Sequence, residues 1–194
     1  MITRCAISRL QFCEGWECIY WSEKNTDLHA NRYVHDAYAH GKYAFVSDYQ
    51  RLKALYDYGG VYLDTDVELR KPLDPFLRHA AFSGFQSVQE VPAAVMGAEA
   101  GHPFIKELLD YYDTALFVKD DGSLNYRSNN SVITEMTVRH GLRQDGTLQV
   151  IRGMVFYPPD FFALDPEQIL VPTTDRTVSV HYCMNSWNPT GKDE

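Results

Sequence analysis

Hydrophobic residues recur along this chain with two different periods, and the switches between them mark its elements. Residues 3–13 carry Ala6, Ile7 and Leu10 on one side, which predicts a short amphipathic helix. Trp16 to Trp21 is rich in aromatic and apolar residues and reads as a strand. Residues 31–40 return to the helical period, with Asn31 as cap, Val34, Ala37 and Tyr38 as the stripe, and Gly41 as the stop. The next helix opens on Ser47 with Gln50 three residues on, the pattern of a capping box. Leu52, Leu55 and Tyr56 keep helical spacing, and Gly59 stands where a left-handed C-terminal cap belongs.

After Gly60 the period becomes two. Val61, Leu63, Val67 and Leu69 face one way along a predicted strand, and Tyr62, Asp64, Asp66 and Glu68 face the other. Lys71-Pro72-Leu73-Asp74-Pro75 ends it. Residues 80–98 read as two short strands around a loop. Pro103 starts a helix to about Ala115, with Phe104, Ile105, Leu108, Leu109 and Tyr112 as its buried stripe. Residues 119–130 are polar and read as a loop, followed by a helix from about Ser131 to His140 that closes at Gly141. Strands are predicted at 148–156 and 176–183, and the tail from Asn188 reads as loose.

Composition narrows the picture a little. With 194 residues, 45% hydrophobic and 23% charged, the chain is long enough for one domain, 1–194, with a real core. The net charge is −8 and no basic stripe is visible, which argues against nucleic acid as a partner. Cys5, Cys13, Cys18 and Cys183 form no Cys-x-x-Cys pair or zinc spacing, and they read as reduced thiols. No apolar run approaches a membrane span, and the N-terminus lacks a signal-peptide core, so a cytoplasmic location is expected.

The candidate chemistry lies in Asp64-Thr65-Asp66. Carboxylates at i and i+2 of a strand share a face. Held that close, both stay ionised only beside a counter-charge. A divalent cation is the usual one, and oxygen ligands suit Mg²⁺ or Mn²⁺. A metal held by one or two protein carboxylates typically shares itself with a phosphate-bearing ligand. Asp48 and Arg51, three apart, share one helix face upstream.

In this context the chain resembles the glycosyltransferases with a DXD-containing sugar-binding region, a family that includes the yeast-type initiating α-1,6-mannosyltransferase and bacterial capsule-synthesis enzymes. The matching text is Ala44-Phe45-Val46-Ser47-Asp48-Tyr49-Gln50-Arg51-Leu52, then Tyr58-Gly59-Gly60-Val61-Tyr62-Leu63-Asp64-Thr65-Asp66. Phe156-Tyr157-Pro158-Pro159-Asp160-Phe161-Phe162 and His181-Tyr182 with Asn185-Ser186-Trp187 add to it. The resemblance implies an α/β fold of the GT-A type: a Rossmann-like mixed sheet flanked by helices, with residues 1–75 as the donor and metal part and 76–194 as the acceptor side. It implies a metal-dependent, retaining transfer of a sugar from a UDP- or GDP-sugar donor to a glycan or lipid-linked glycan, with peripheral membrane contact compatible with such acceptors. By the same resemblance Asp66 ligates Mn²⁺ or Mg²⁺. Asp64 helps hold the metal and reaches the donor, Asp48 and Arg51 hold sugar hydroxyls, and Tyr62 lines their pocket. His181, or Ser186 with Trp187, closes the site from the C-terminal side, with His181 a candidate third metal ligand. Family members open with a strand of the type Ile-Pro-Lys-Ile-Ile-His. Here Met1 stands almost inside the first helix, so an N-terminal truncation of roughly twenty residues is expected.

Other readings stay open on residues alone. Asp48 and Arg51 also suit a helix-start carboxylate with a surface salt bridge. His181 also suits a satisfied strand histidine, and Trp21 and Trp187 suit core packing. Glu68, His102, His140 and Asp120-Asp121 read as structural or surface residues. An Asp-x-Asp after a strand also opens haloacid-dehalogenase-type phosphatases, for which Lys119 and Asp120-Asp121 are the remaining candidates. A third reading is an inactive nucleotide-sugar-binding remnant.

Overall fold

Strands apolar on both sides need cover on both faces, and that requirement organises the molecule. The computed structural model describes residues 1–164 and 173–183. The first half runs α1 (Ile2–Phe12), α2 (Arg32–Ala39), α3 (Tyr43–Tyr58), β1 (Gly60–Leu63), β2 (Val67–Leu69), a 3-10 turn at Asp74–Phe76, β3 (Ala81–Gly84) and β4 (Val95–Ala98). The second half runs α4 (Pro103–Thr114), α5 (Asn129–Arg139), β5 (Gln149–Ile151), β6 (Met154–Tyr157), β7 (Phe162–Leu164) and β8 (Ser179–His181).

One sheet has the order β1-β4-β3-β6-β5, antiparallel except for the parallel β3–β6 pair. A smaller sheet has the order β2-β8-β7. Successive residues of the large sheet alternate between two cores. Ala81, Met96, Met154 and Phe156 join Leu52, Leu55, Phe104, Leu108 and Ile133 from the helices. Phe82, Val95, Val155 and Tyr157 join Val67 and Leu69 of β2, Phe76 and Phe162. Helices thus cover one face of the large sheet and the small sheet covers the other. This is the mixed sheet with flanking helices that the sequence led us to expect.

Several boundaries differ from the sequence reading. Ile7 and Leu10 of α1 are exposed, and Cys5 and Ser8 are buried in their place. Polar contacts from α1 to β2 set that rotation: Ser8 Oγ accepts from the Leu69 N–H at 2.9 Å, and the Arg4 Nε donates to Glu68 at 2.7 Å. Trp16–Trp21 joins no ladder among the described residues. An aromatic run has strand propensity, but it becomes a strand only where a neighbour offers backbone groups. Asn31 caps α2 as expected, its side chain accepting from the Val34 N–H at 2.9 Å.

The third helix starts at Tyr43, not Ser47, so the capping box does not form. Its N-cap Lys42 makes no side-chain cap, and Ser47 Oγ instead donates to Ala44 O at 2.8 Å inside the helix. Gly59 ends the helix with φ 69° but extended ψ, and a Cβ there would stand 2.8 Å from the backbone N of Ala100. The predicted strand 61–69 is two strands in different sheets, parted by a turn in which Val67 N–H donates to Asp64 O at 3.1 Å. The predicted strand 148–156 is likewise the hairpin β5–β6. Arg152 (φ 52°) and Gly153 (φ 83°) form its two-residue turn, the backbone that such hairpins require. The fifth helix begins at Asn129, capped by Ser128, rather than at Ser131. The predicted strand 176–183 shortens to Ser179–His181. The tail from Asn188 lies outside the described residues.

Gly97 of β4 lies beneath the ring of Phe82, its partner on β3, and a Cβ at Gly97 would come within 2.1 Å of that ring. Phe82 is itself buried and cannot swing aside. Gly97→Ala is therefore expected to lower stability by about 1–3 kcal/mol, measured as a shift in the urea midpoint at unchanged slope.

Candidate functional site

The turn that separates β1 from β2 also builds the site. Asp64 leaves the end of the large sheet and Asp66 enters the small one, so the two carboxylates converge through a turn and not through alternation along one strand. β8 pairs with β2 so that His181 lies opposite Val67, one residue from Asp66. His181 Nε2 stands 3.3 Å from Asp66 Oδ1 and 4.0 Å from Asp64 Oδ2. Ligand atoms of Asp64, Asp66 and His181 all lie within 4.8 Å of one another.

That set fits a divalent cation. Ligands about 2.1 Å from a shared Mg²⁺-sized ion are separated by about 3–4 Å. Two carboxylate oxygens and one imidazole nitrogen suit Mn²⁺ or Mg²⁺, with positions left for water and phosphate oxygens. In the absence of a cation, His181 itself balances the acids. Burial would lower its pKa, but the hydrogen bonds to Asp66 and Cys183 outweigh it and raise it to about 10.

Beside this trio, α3 presents Asp48 and Arg51. The Arg51 guanidinium is almost fully buried and reaches Asp48 Oδ1 at 3.1 Å, Asp64 Oδ1 at 3.2 Å and the Ala93 carbonyl at 3.0 Å. Its Cζ lies 4.7 Å from the centre of the Tyr62 ring, and the Tyr62 hydroxyl donates to Asp64 at 2.8 Å. Burial opposes the guanidinium charge, but Asp64, Tyr62 and Asp48 together keep it protonated. Burial likewise keeps the Tyr62 phenol neutral, which preserves it as a donor to Asp64. Burial pushes Asp48 up, and with Arg51 pulling it part of the way back it stands at about 7.

Asp48, Arg51, Tyr62, Asp64, Asp66 and His181 all line one cleft of about 1000 Å³. The structure thus brings together six of the residues singled out in the sequence. Ser186 and Trp187 lie outside the described residues. Asp48–Arg51 is no surface salt bridge, because Arg51 is buried and the Asp48 side chain is largely shielded. Lys119, Asp120 and Asp121 are exposed in a loop and do not line this cleft, so a phosphatase constellation is not assembled here. Trp21 borders the cleft, 6.0 Å from Tyr58 between ring centres.

Sequence reasoning missed Asn129. It opens α5, donates from Nδ2 to the Asp48 carbonyl at 3.1 Å, and lines the same cleft. Its Oδ1 is buried without a hydrogen-bond partner among the described residues. The signal was the run Ser128-Asn129-Asn130, which was read as the end of a polar loop.

Residues 4–83 match the family described as a glycosyltransferase sugar-binding region containing a DXD motif. This segment resembles the sugar-binding region of DXD-type glycosyltransferases. It holds five of the six clustered residues, with His181 supplied from β8. The chain is 40% identical over 63 residues to inositol phosphoceramide mannosyltransferase 3 of Schizosaccharomyces pombe, covering 32% of this chain and 18% of that protein. It is 35% identical over 74 residues to inositol phosphoceramide mannosyltransferase 1 of the same yeast, covering 35% and 23%. The chain therefore spans less than a quarter of the length of these relatives. The solved PaToxG glycosyltransferase aligns with a TM-score of 0.42 at 20% identity, over 61% of this chain and 44% of that one. No helix among the described residues is long and apolar enough to cross a membrane.

Burial of Asp48 couples the stability of the fold to pH. Between about pH 4 and 7 the folded protein keeps a proton on Asp48 that the unfolded chain has released. Rising pH across that window therefore costs stability through this group. Asp48→Asn is expected to flatten that fall, measured as urea midpoints across the same range.

Proposed function

We propose that this cleft binds a nucleoside-diphosphate sugar and transfers its hexose to a glycan or lipid-linked glycan acceptor. The observation that carries this reading is the convergence of Asp64, Asp66 and His181 with the Asp48–Arg51 pair in one cleft. The family match over residues 4–83 supports it. The relatives' names make mannose the first donor sugar to test.

In this reading Asp64, Asp66 and His181 hold Mn²⁺ or Mg²⁺, and Ser186 and Trp187 close the donor site. The bound cation supplies Lewis-acid stabilisation of the diphosphate leaving group. The chain's own residues orient the sugar. Arg51 offers a planar fork of donors, and Asp48 offers an acceptor whose partial protonation lets it serve as donor as well. Tyr62 fixes Asp64 through its hydroxyl and Arg51 through its ring face. Asn129 Oδ1, buried and without a partner among the described residues, is suited to accept from a sugar hydroxyl that reaches it. The retaining course is part of this proposal, and it assigns no side chain as covalent nucleophile.

The test is sugar release from a panel of UDP- and GDP-sugars, GDP-mannose among them, with Mn²⁺ and with chelator. Release that needs both metal and Asp66, lost by at least a hundredfold in Asp66→Ala, is the expected outcome. A folded protein that releases sugar from no donor would overturn the reading in favour of an inactive nucleotide-sugar-binding remnant.

A second prediction concerns protons. His181 is protonated below about pH 10 without a cation, so binding must displace its Nε2 proton. Mn²⁺ affinity is therefore expected to rise with pH from about 6 to 9, by up to about tenfold per unit. Calorimetry in buffers of different ionisation enthalpy should show about one proton released per ion, and none in His181→Gln.

A further inference from the structure

The three clustered residues come from two chain segments with little covalent reason to stay together. Asp64 and Asp66 lie within the four-residue turn 64–67, and His181 ends a three-residue strand. Short turns and short strands hold position only when other groups hold them. The first helix supplies those groups from one side.

Arg9 of α1 points its Nη1 at the carbonyls of that turn, 3.5 Å from Asp64 O, 3.5 Å from Thr65 O and 3.3 Å from Val67 O. Each contact is long, but three carbonyls around one guanidinium give a charge-assisted anchor for the turn. Arg9 also lines the cleft. One turn earlier on the same helix, the Arg4 Nε donates to Glu68 Oε1 at 2.7 Å. Glu68 is buried and takes two more partners at Oε2, the Tyr182 hydroxyl at 2.5 Å and Arg70 Nη2 at 3.0 Å. Tyr182 directly follows His181, and its N–H donates to Asp66 O at 3.1 Å. Arg9 thus holds the segment that carries the two aspartates. Arg4, through Glu68 and Tyr182, holds the segment that carries the histidine.

We infer that α1 is a polar clamp for the Asp64–Asp66–His181 cluster, with Arg9 and Glu68 as positioning residues that set its affinity for a divalent cation. The inference rests on the metal-binding reading above. It also explains why α1 leaves Ile7 and Leu10 exposed: the helix face turned toward the sheets is the one that carries the contacts to the site. Partners one shell out from a metal's ligands typically change its affinity by about 10–100-fold when removed.

The experiment titrates Mn²⁺ alone into the whole chain, reading free Mn²⁺ by electron paramagnetic resonance, with no donor present. Arg9→Gln and Tyr182→Phe are each expected to weaken Mn²⁺ binding by about tenfold. Arg9→Lys should recover part of the loss because it restores the charge without the fork. Leu10→Gln, an exposed change on the same helix, should bind as the unaltered protein does. If Arg9→Gln fails to fold, Tyr182→Phe decides alone, since it removes one hydroxyl and no packing. Folded variants with unaltered Mn²⁺ affinity would overturn the clamp while leaving the metal site standing. An unaltered protein that binds no Mn²⁺ would overturn the metal-site reading and the clamp with it.

Discussion

A guanidinium taken out of water must be surrounded by acceptors, and everything near this cleft is arranged to satisfy that demand. Arg51 sits on α3 with Asp48 on its own helix, Asp64 at the end of β1 and the Ala93 carbonyl just before β4. One side chain therefore ties the helical layer to two adjacent strands of the large sheet. Removing it would strand two carboxylates together in a poorly solvated place, a change that typically costs about 3–5 kcal/mol. The interaction is weak as a source of net stability but strong as a source of specificity, because few other arrangements satisfy the same charges.

The first eighty or so residues and the rest of the chain contribute unequally to the cluster. Residues 4–83 bring the acids, the arginine and the tyrosine. The later strands then bring β8 against β2, and with it the only imidazole of the cluster among the described residues. Two cores on opposite faces of the large sheet make this junction rigid. The helical core fixes α3 and so Arg51, and the aromatic core around Phe76, Phe82 and Phe162 fixes the small sheet and so Asp66 and His181. The cleft opens where these two units meet. Charge accounting across that junction explains the shifted protonation of Asp48 and His181. The first lies where burial outweighs one cation, and the second where hydrogen bonding to an acid outweighs burial.

Much of the site was legible as residue identities. Asp48 and Arg51 at helical spacing, the Gly-Gly turn and Asp64-Thr65-Asp66 form a compact signature, and local spacing sufficed to place the first pair on one helix face. The route to convergence was not legible. Period-two alternation predicted one strand through Leu69, whereas the chain turns at Asp64–Asp66 and changes sheets. A break of that kind depends on which strands are available as partners, which no local pattern encodes. The capping box at Ser47 failed for a related reason. Its side chain satisfies a carbonyl inside a longer helix that tertiary packing extends back to Tyr43.

By itself, then, the amino-acid order determined the cores of α2, α3 and α4 and the identity of the acidic cluster, because each follows from spacing within a few residues. Only the tertiary structure decided that Trp16–Trp21 is no strand, that α1 turns its polar groups and not Ile7 and Leu10 toward the sheets, and that Asn129 faces Asp48. Those outcomes rest on contacts between segments tens of residues apart. There, the need to pair every buried charge and backbone group overrides the local hydrophobic period.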